Sequence, residues 1–312
     1  MSFTRYVALR IFQAIPTIIG VVVVMFILVR MLPGDPARLI AGPEASEEDV
    51  RRIREILGLN KPLYIQFVEY LLSLLRGDLG LSIKFGTPVV NEIMSRLPYT
   101  IILAVTAEAI AVATALPLGI ISAMKPQSRI GYLSTIVSLL GSSIPIYWMG
   151  LVFIAIFAVE LRLLPSSGAE SPRHLVLPAL TLSLLLMGNL TRITKVSVIE
   201  ALESNYITTA RAKGLSERIV ILRHGLRNAM IPIVTIMGIQ LGALLGGAIL
   251  TETVFAWPGV GLLLVDSIFY RDYTLIQGIV VFIASMIVAI NIIVDVVYVV
   301  IDPRVRGIIW GR

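Results

Sequence analysis

The side chains in this sequence that could do chemistry are few and far apart. Among 312 residues there is no cysteine, which excludes a thiol nucleophile, a thiolate metal site and a disulfide framework. No H-E-x-x-H pair offers a zinc site, and no G-x-x-x-x-G-K-[ST] loop offers a cradle for nucleotide phosphates. Of the two histidines, His174 stands at the very start of one uncharged run and His224 in a polar stretch, on what are expected to be opposite faces of a membrane, so no histidine is expected at the depth of a serine within a span. What remains is non-covalent. A dense polar stretch covers residues 197–228, two carboxylates (Glu108 and Asp295) sit in apolar surroundings, and Ser142, Ser143, Gln240 and Asn291 interrupt other apolar runs. Such groups recognise, conduct or transmit, so catalysis belongs to a partner or is absent, and no cofactor is expected.

The elements that must position these groups are set by composition. The chain is 57% hydrophobic and 15% charged, with a mean hydropathy of +0.90; soluble domains carry about 25% charged residues. An ordinary water-soluble enzyme could not hide that apolar surface, and disorder needs low hydrophobicity. A hydrocarbon core of about 30 Å takes roughly 20 helical residues. Uncharged runs of 19, 30, 18, 24 and 22 residues lie between Arg10 and Arg30, Arg129 and Glu160, Arg173 and Arg192, Arg227 and Glu252, and Asp272 and Asp295. Another run, from about Tyr99 to Met124, is broken only by Glu108. The expectation is an all-α integral membrane protein with six transmembrane helices. Continuous rather than alternating apolar runs exclude a barrel. The first run is longer than a signal-peptide core and is expected to stay as the first span.

Orientation follows from Lys and Arg. With the N-terminus inside, the two inner loops carry nine basic residues, and the two short outer loops carry three: Arg162, Arg173 and Arg271. Both termini are therefore expected in the cytoplasm. The division is residues 1–31 (inner segment and first span), 32–98 (extracellular helical region) and 99–312 (five-helix core with an inner loop at 192–228). Within 32–98, Leu32-Pro33-Gly34-Asp35-Pro36 predicts a turn. Ser46 predicts a helix cap followed by the acids Glu47, Glu48 and Asp49, in a helix running to about Leu57 with Gly58 able to end it. Pro62 opens a helix with an apolar stripe of Ile65, Val68, Leu71, Leu72 and Leu75, stopped at Gly77-Asp78-Leu79-Gly80. Thr87-Pro88 opens a third helical piece toward Met94. This region is either a platform for an outer partner or a cap on the membrane domain.

The inner loop parses as two short helices broken at Lys213-Gly214-Leu215. Gly214 can take the left-handed conformation that ends a helix, and Ser216 can cap the next one with Glu217 in its first turn. Thr208, Thr209, Ala210 and Ala212 are small enough for another surface to approach the backbone. Three readings are open: a solvated basic loop, a helix–turn–helix that reads nucleic acid, and a lever seated in a cytoplasmic partner. Being clamped between two spans argues against the second, and no nucleic-acid partner is expected.

The stretch Thr209-Ala210-Arg211-Ala212-Lys213-Gly214-Leu215-Ser216-Glu217, with Leu222-Arg223-His224-Gly225-Leu226-Arg227-Asn228 after it, resembles the coupling loop of ATP-binding-cassette importer permeases. More closely, it is similar to the B-type subunit of the dipeptide/oligopeptide/nickel family. Thr208-Thr209-Ala210 stands where that pattern has Glu-Ala-Ala, Gly214 matches, and Arg227 replaces a proline. Glu217 and Glu203 are candidates for the part of the missing glutamate. The resemblance continues through Leu32-Pro33-Gly34-Asp35-Pro36, Gly77-Asp78-Leu79-Gly80-Leu81-Ser82, Glu252-Thr253-Val254-Phe255-Ala256-Trp257-Pro258-Gly259-Val260-Gly261, Arg271-Asp272-Tyr273 and Asp302-Pro303-Arg304-Val305-Arg306. It implies a type I ABC importer permease fold with a helical insertion after the first span. It also implies a second homologous permease subunit, two cytoplasmic ATPases, an extracellular substrate-binding protein and a prokaryotic cell membrane. Thr208, Thr209, Ala210, Arg211, Gly214, Glu217 and His224 would then couple to the ATPases. Peptide is the substrate expected first, with oligosaccharide, nickel chelate and glutathione as alternatives.

Within the spans, a carboxylate costs roughly 2.5–3.5 kcal/mol at a helix centre, so Glu108 should face the bundle or water. Glu108, Ser142, Ser143, Gln240 and Asn291 are candidates to line a path, each with helix packing as its alternative. Gly238, Gly242 and Gly246 permit a close helix crossing, either inside this chain or at a seam with a second subunit. Trp257, Pro258 and Gly259 make an outer turn that reads as a gate, a docking lip or an aromatic interface anchor. A stand-alone secondary carrier or channel is the competing function. It would be expected to place ionisable pairs in two symmetry-related halves.

Overall fold

The computed structural model describes residues 3–31, 36–42, 44–56 and 58–301. In chain order its helices are α1 (Phe3–Met31), α2 (Pro36–Ala41), α3 (Glu47–Ile56), α4 (Leu63–Leu75), α5 (Val89–Met124), α6 (Arg129–Ser143), α7 (Ile146–Phe153), α8 (Val176–Leu202), α9 (Asn205–Ala212), α10 (Glu217–Ile219), α11 (Leu226–Gly247), α12 (Ile249–Val254), α13 (Val260–Phe269) and α14 (Tyr273–Ile301). Among the described residues the only ladder contact is an isolated bridge between Leu81 and Pro88. Among the described residues, five helical runs are long and apolar enough to cross a membrane. They become six if α6 and the run Ile146–Glu160 count as one span, and these two meet at 107°.

The core is built where small side chains let helices approach. On α5, Ala104, Ala107, Ala111 and Ala115 recur at helical spacing and are fully buried. They pack with Ala179, Leu182, Leu186 and Leu190 of α8, the most extensive helix pair in the fold. Gly141 of α6 and Gly188 of α8 meet backbone to backbone, and Ser138 donates its hydroxyl to the Gly188 carbonyl at 2.7 Å. Gly238 and Gly242 of α11 face Val294 and Ile290 of α14, so those two glycines serve packing within this chain. The surroundings of Gly246 lie outside the described residues. α1 rests on α14, where Arg10 pairs with Asp295 at 3.2 Å. At the other end of α1, Arg30 donates to the Gln66 side chain at 2.9 Å and stacks over Phe26, which meets Phe67 and Tyr70 of α4.

Several elements differ from the sequence reading. The third helical piece and the second span are one helix, α5, which starts at Val89 and contains Pro98 and Pro117. Burial of Val89 and Ile93 against Val260, Leu263, Leu275 and Ile279 outweighs the hydrogen bond that Pro98 removes. The third span, whose length and polar interruption allow a kink, bends much further than a kink, by 107°. Pro145 offers no N–H, Ile144 is extended, and past Phe153 the helix widens to a π turn over Ile154–Glu160. α8 does not stop at Arg192. Thr191, Thr194, Ser197, Val198 and Ala201 bury one face while Arg192 and Glu200 stay exposed, so tertiary contact carries the helix to Leu202. The stripe expected on α4 is not its packed side. Val68, Leu72 and Leu75 are exposed, and the face that meets α1 carries Gln66, Phe67 and Tyr70. Ser46 does cap α3, its hydroxyl accepting from the Asp49 N–H at 3.2 Å. The turn expected at Leu32-Pro33-Gly34-Asp35, the helix end at Leu57 and the motif at residues 302–306 lie outside the described residues.

Candidate functional site

The loop between α8 and α11 is folded. α9 ends at Gly214, whose φ of +75° is the left-handed conformation expected there. The chain then turns directly into a second helical run that begins at Glu217, widens to a π turn over Val220–Gly225 and merges with α11. Ser216 starts this run through its carbonyl, which accepts from Ile219 and Val220, and its side chain makes no cap bond, contrary to expectation. Ile207, Ala210 and Val220 form a small buried core with Tyr206 against it. Gly225 lies so close to α8 that an added Cβ would be 3.0 Å from Leu202.

At the tip, Thr208, Thr209, Arg211, Gly214 and Glu217 are exposed, Ala210 is buried, and His224 is half-buried on the π turn. Arg211 pairs with Glu217 at 2.7 Å across the Gly214 turn, while Glu203 is exposed at the end of α8. Sequence reasoning missed an apolar ridge. Leu215, Ile219 and Leu222 are exposed at spacings of four and three, a signal present in the sequence but masked by the surrounding charges.

At the opposite end of the bundle, Glu252 organises the turn that carries Trp257, Pro258 and Gly259. Its carboxylate is 0% exposed and accepts from the Thr100 hydroxyl at 2.7 Å, the Gly261 N–H at 2.7 Å and the Leu262 N–H at 3.0 Å. The Thr100 oxygen in turn accepts from the Val260 N–H at 2.9 Å. The first three N–H groups of α13 are thus satisfied by side chains from α5 and α12. Trp257 is 4% exposed, stacks edge-on against Tyr99 and donates to the Tyr99 carbonyl at 3.0 Å, so it does not face a membrane interface. A Cβ on Gly259 would collide with the Glu252 carboxylate. The sequence reading had no role for Glu252 or Thr100, because only the fold brings them together.

The polar residues within the spans do not converge. Glu108 lines a cavity of about 370 Å³ with faces of α11 and α14, and both its oxygens lack a hydrogen-bond partner. Gln240 lines a separate cavity of about 370 Å³ with Asn189, Thr251 and apolar residues of α7, α8 and α12; its amide donates to the Leu186 carbonyl at 3.2 Å. Asn291 lies beside Gly242, and Ser143 is exposed at the α6–α7 break. The Ser142 side chain lies outside the described residues. Among the described residues no group of His, Cys, Asp and Glu is arranged to hold a metal ion.

Residues 115–307 match the family described as binding-protein-dependent transport system inner membrane component, and residues 3–104 match its N-terminal companion. The chain belongs to this family. Membership together with the N-terminal match makes it a permease subunit of an ABC importer, of the dipeptide/oligopeptide/nickel type, and a transport component rather than an enzyme. The permease is 46% identical to the glutathione transport system permease protein GsiC of Escherichia coli K12 over 302 residues, covering 97% of this chain and 99% of the relative. The same protein of Shigella flexneri serotype 5b matches to the same extent. Among solved structures, the MetNI methionine ABC transporter in an inward-facing conformation aligns with a TM-score of 0.55 and 19% identity, covering 67% of the permease and 96% of that chain. That likeness places the bundle in the type I importer permease fold. The permease is accordingly a multi-pass inner membrane protein, and its family works in general with a partner permease, ATPases and a binding protein.

Proposed function

We propose that this permease forms half of a peptide importer and that its loop over residues 203–228 seats in a cytoplasmic ATPase. The observation that carries the reading is the exposed tip around Gly214, bracketed by Arg211 and Glu217, packed on its own core of Ile207, Ala210 and Val220 and held against α8 where Gly225 meets Leu202. Thr208, Thr209, Arg211, Gly214, Glu217 and His224, with the Leu215–Ile219–Leu222 ridge, supply the contact. The basic loops then face the cytoplasm with both termini, residues 32–98 and the Trp257 turn face outward toward a binding protein, and residues 99–312 form the core. When the two ATPases close on ATP, the lever moves α8 and α11 together, and the path alternates between outward and inward openings.

The path we favour passes the cavity lined by Asn189, Gln240 and Thr251. Its uncharged polar groups suit the amides of a peptide without trapping either charged end. A relative named for glutathione, itself a small peptide, supports that class and makes glutathione a specific candidate. Glu108, Ser143 and Asn291 lie away from this cavity, and their part in the path is a separate proposal.

The test is purification of the chain from its native membrane with whatever subunits accompany it, then ATPase and uptake assays in vesicles with a dipeptide, an oligopeptide and glutathione. Recovery of a second permease and ATPases with ATP-dependent uptake of a peptide supports the reading. ATP-dependent uptake of a sugar or a nickel chelate alone would overturn the substrate class, and uptake driven by an ion gradient without ATP would overturn the coupling role.

A further inference from the structure

A cavity of about 700 Å³ lies beside the first helix and has no part in the lever or in the favoured path. It lies where α1 rests on α14 and, near one end, Phe26 and Arg30 of α1 meet Gln66, Phe67 and Tyr70 of α4. A slot is left between Ile18 and Val22 on one wall, Val90 and Ile93 on a second, and Val281 and Phe282 on a third. The last two turns of α4, with Leu71 and Leu74, roof it.

Three observations restrict what can fill the slot. Its lining is apolar apart from Ser285, whose hydroxyl already donates to the Val281 carbonyl at 2.8 Å, so neither water nor a polar solute finds a partner there. Its mouth is continuous with the lipid-facing side of α1: Ile15 and Ile19 both line the slot and are exposed, as is Met94 across from them. An extended peptide would strand its backbone groups in such surroundings, and a helix about 10–12 Å across running through a membrane depth of about 30 Å would need several times the volume of about 700 Å³.

We propose that this slot is a binding site for an acyl chain of a membrane phospholipid, held between α1, α4, α5 and α14. The chain supplies the packing that α1 lacks on its α5 side, and an empty volume of this size lined by side chains would forfeit those contacts. Its physical role is to fix the first helix against the core while α8 and α11 move.

The experiment uses the permease purified with its accompanying subunits and placed in phosphatidylethanolamine–phosphatidylglycerol vesicles. These contain a trace of phosphatidylcholine carrying a diazirine midway along one acyl chain. After irradiation, adducts are mapped by mass spectrometry. Labelling of Ile18, Val90 and Phe282 is expected several-fold above that of Phe12 and Leu28, exposed positions of α1 that do not line the slot. Val90→Trp should abolish the adducts at Ile18 and Phe282 while leaving those at Phe12 and Leu28; Ile18→Trp fills the slot from the other wall if the first variant fails to assemble. Equal labelling of slot and outer positions would show bulk lipid only and overturn the site. The chain has no cysteine, so a lone Val90→Cys can also be offered a bifunctional thiol–amine reagent. Cross-linking of that cysteine to a second permease chain would assign the slot to a partner helix and equally overturn the proposal.

Discussion

Thr100 and Glu252, 152 positions apart in the chain, meet through a 2.7 Å hydrogen bond in the buried layer beneath the Trp257 turn. The same carboxylate takes the N–H groups of Gly261 and Leu262, so one side chain joins α5, α12 and α13. Glu252→Ala strands all three donors, at about 1–3 kcal/mol for each buried group left unpaired. The expected loss is on the order of 3–5 kcal/mol, with Glu252→Gln losing less because its amide oxygen still accepts. Thermal unfolding in mild detergent measures this, and an alanine variant as stable as the wild type would remove the clamp.

Gly259 is required by the same clamp, since any Cβ there meets the Glu252 carboxylate. Gly259→Ala should therefore destabilise by about 1–3 kcal/mol, the usual range for overpacking, and should add little in a Glu252→Ala background. That non-additivity is the diagnostic result; two independent losses would mean that Gly259 serves something else.

At Gly214 an added Cβ meets no atom within 4 Å, yet φ is +75°. The cost of substitution is thus conformational rather than steric. Gly214→Val should strain the turn by roughly 1–2 kcal/mol, leave membrane insertion unchanged and uncouple ATP hydrolysis from uptake. Gly214→Asn, which tolerates the left-handed region, should retain most uptake. Normal uptake by the valine variant would sink the lever.

Arg211 and Glu217 are both exposed, so their pairing is worth about 0.2–1 kcal/mol and neither single reversal should alter global stability measurably. Each reversal should lower coupled uptake, and Arg211→Glu combined with Glu217→Arg should recover it if the pair acts by bracketing the turn. Failure of the exchanged pair would instead show that one of these side chains contacts the ATPase directly.

Gly141 offers a packing test away from both ends. A Cβ there would lie 2.5 Å from the Leu184 carbonyl oxygen, which belongs to backbone and cannot swing aside. Gly141→Ala should cost about 1–3 kcal/mol, whereas Gly20→Ala, with nothing within 4 Å, should be neutral or gain up to about 1 kcal/mol. Comparing the two midpoints in one detergent separates close helix approach from helix propensity.

Much of this molecule is legible from one dimension. Uncharged runs of membrane length announce the spans because lipid tolerates no unpaired backbone. The Gly214 turn and the Ser46 cap are local backbone chemistry, readable from residue type. The resemblance carried by residues 208–228 and 252–261 names the family before any contact is known. Three dimensions decide the rest, because those outcomes depend on what the chain packs against. The break at residues 142–145 was visible as a polar interruption, but its 107° bend was not. The piece opening at Pro88 and the span from about Tyr99 read as separate helices, and it is the burial of Val89 and Ile93 that makes α5 continuous across Pro98. Glu252 reads as one more charge at the end of a span, and only the approach of α5 and α13 makes it a clamp. The sequence by itself thus determined which segments enter the membrane and which local turns join them, since those depend on side-chain type and near neighbours. The tertiary structure alone decided which polar groups meet and where cavities open, since those depend on contacts between residues far apart in the chain, from 36 positions for Arg30 and Gln66 to 152 for Thr100 and Glu252.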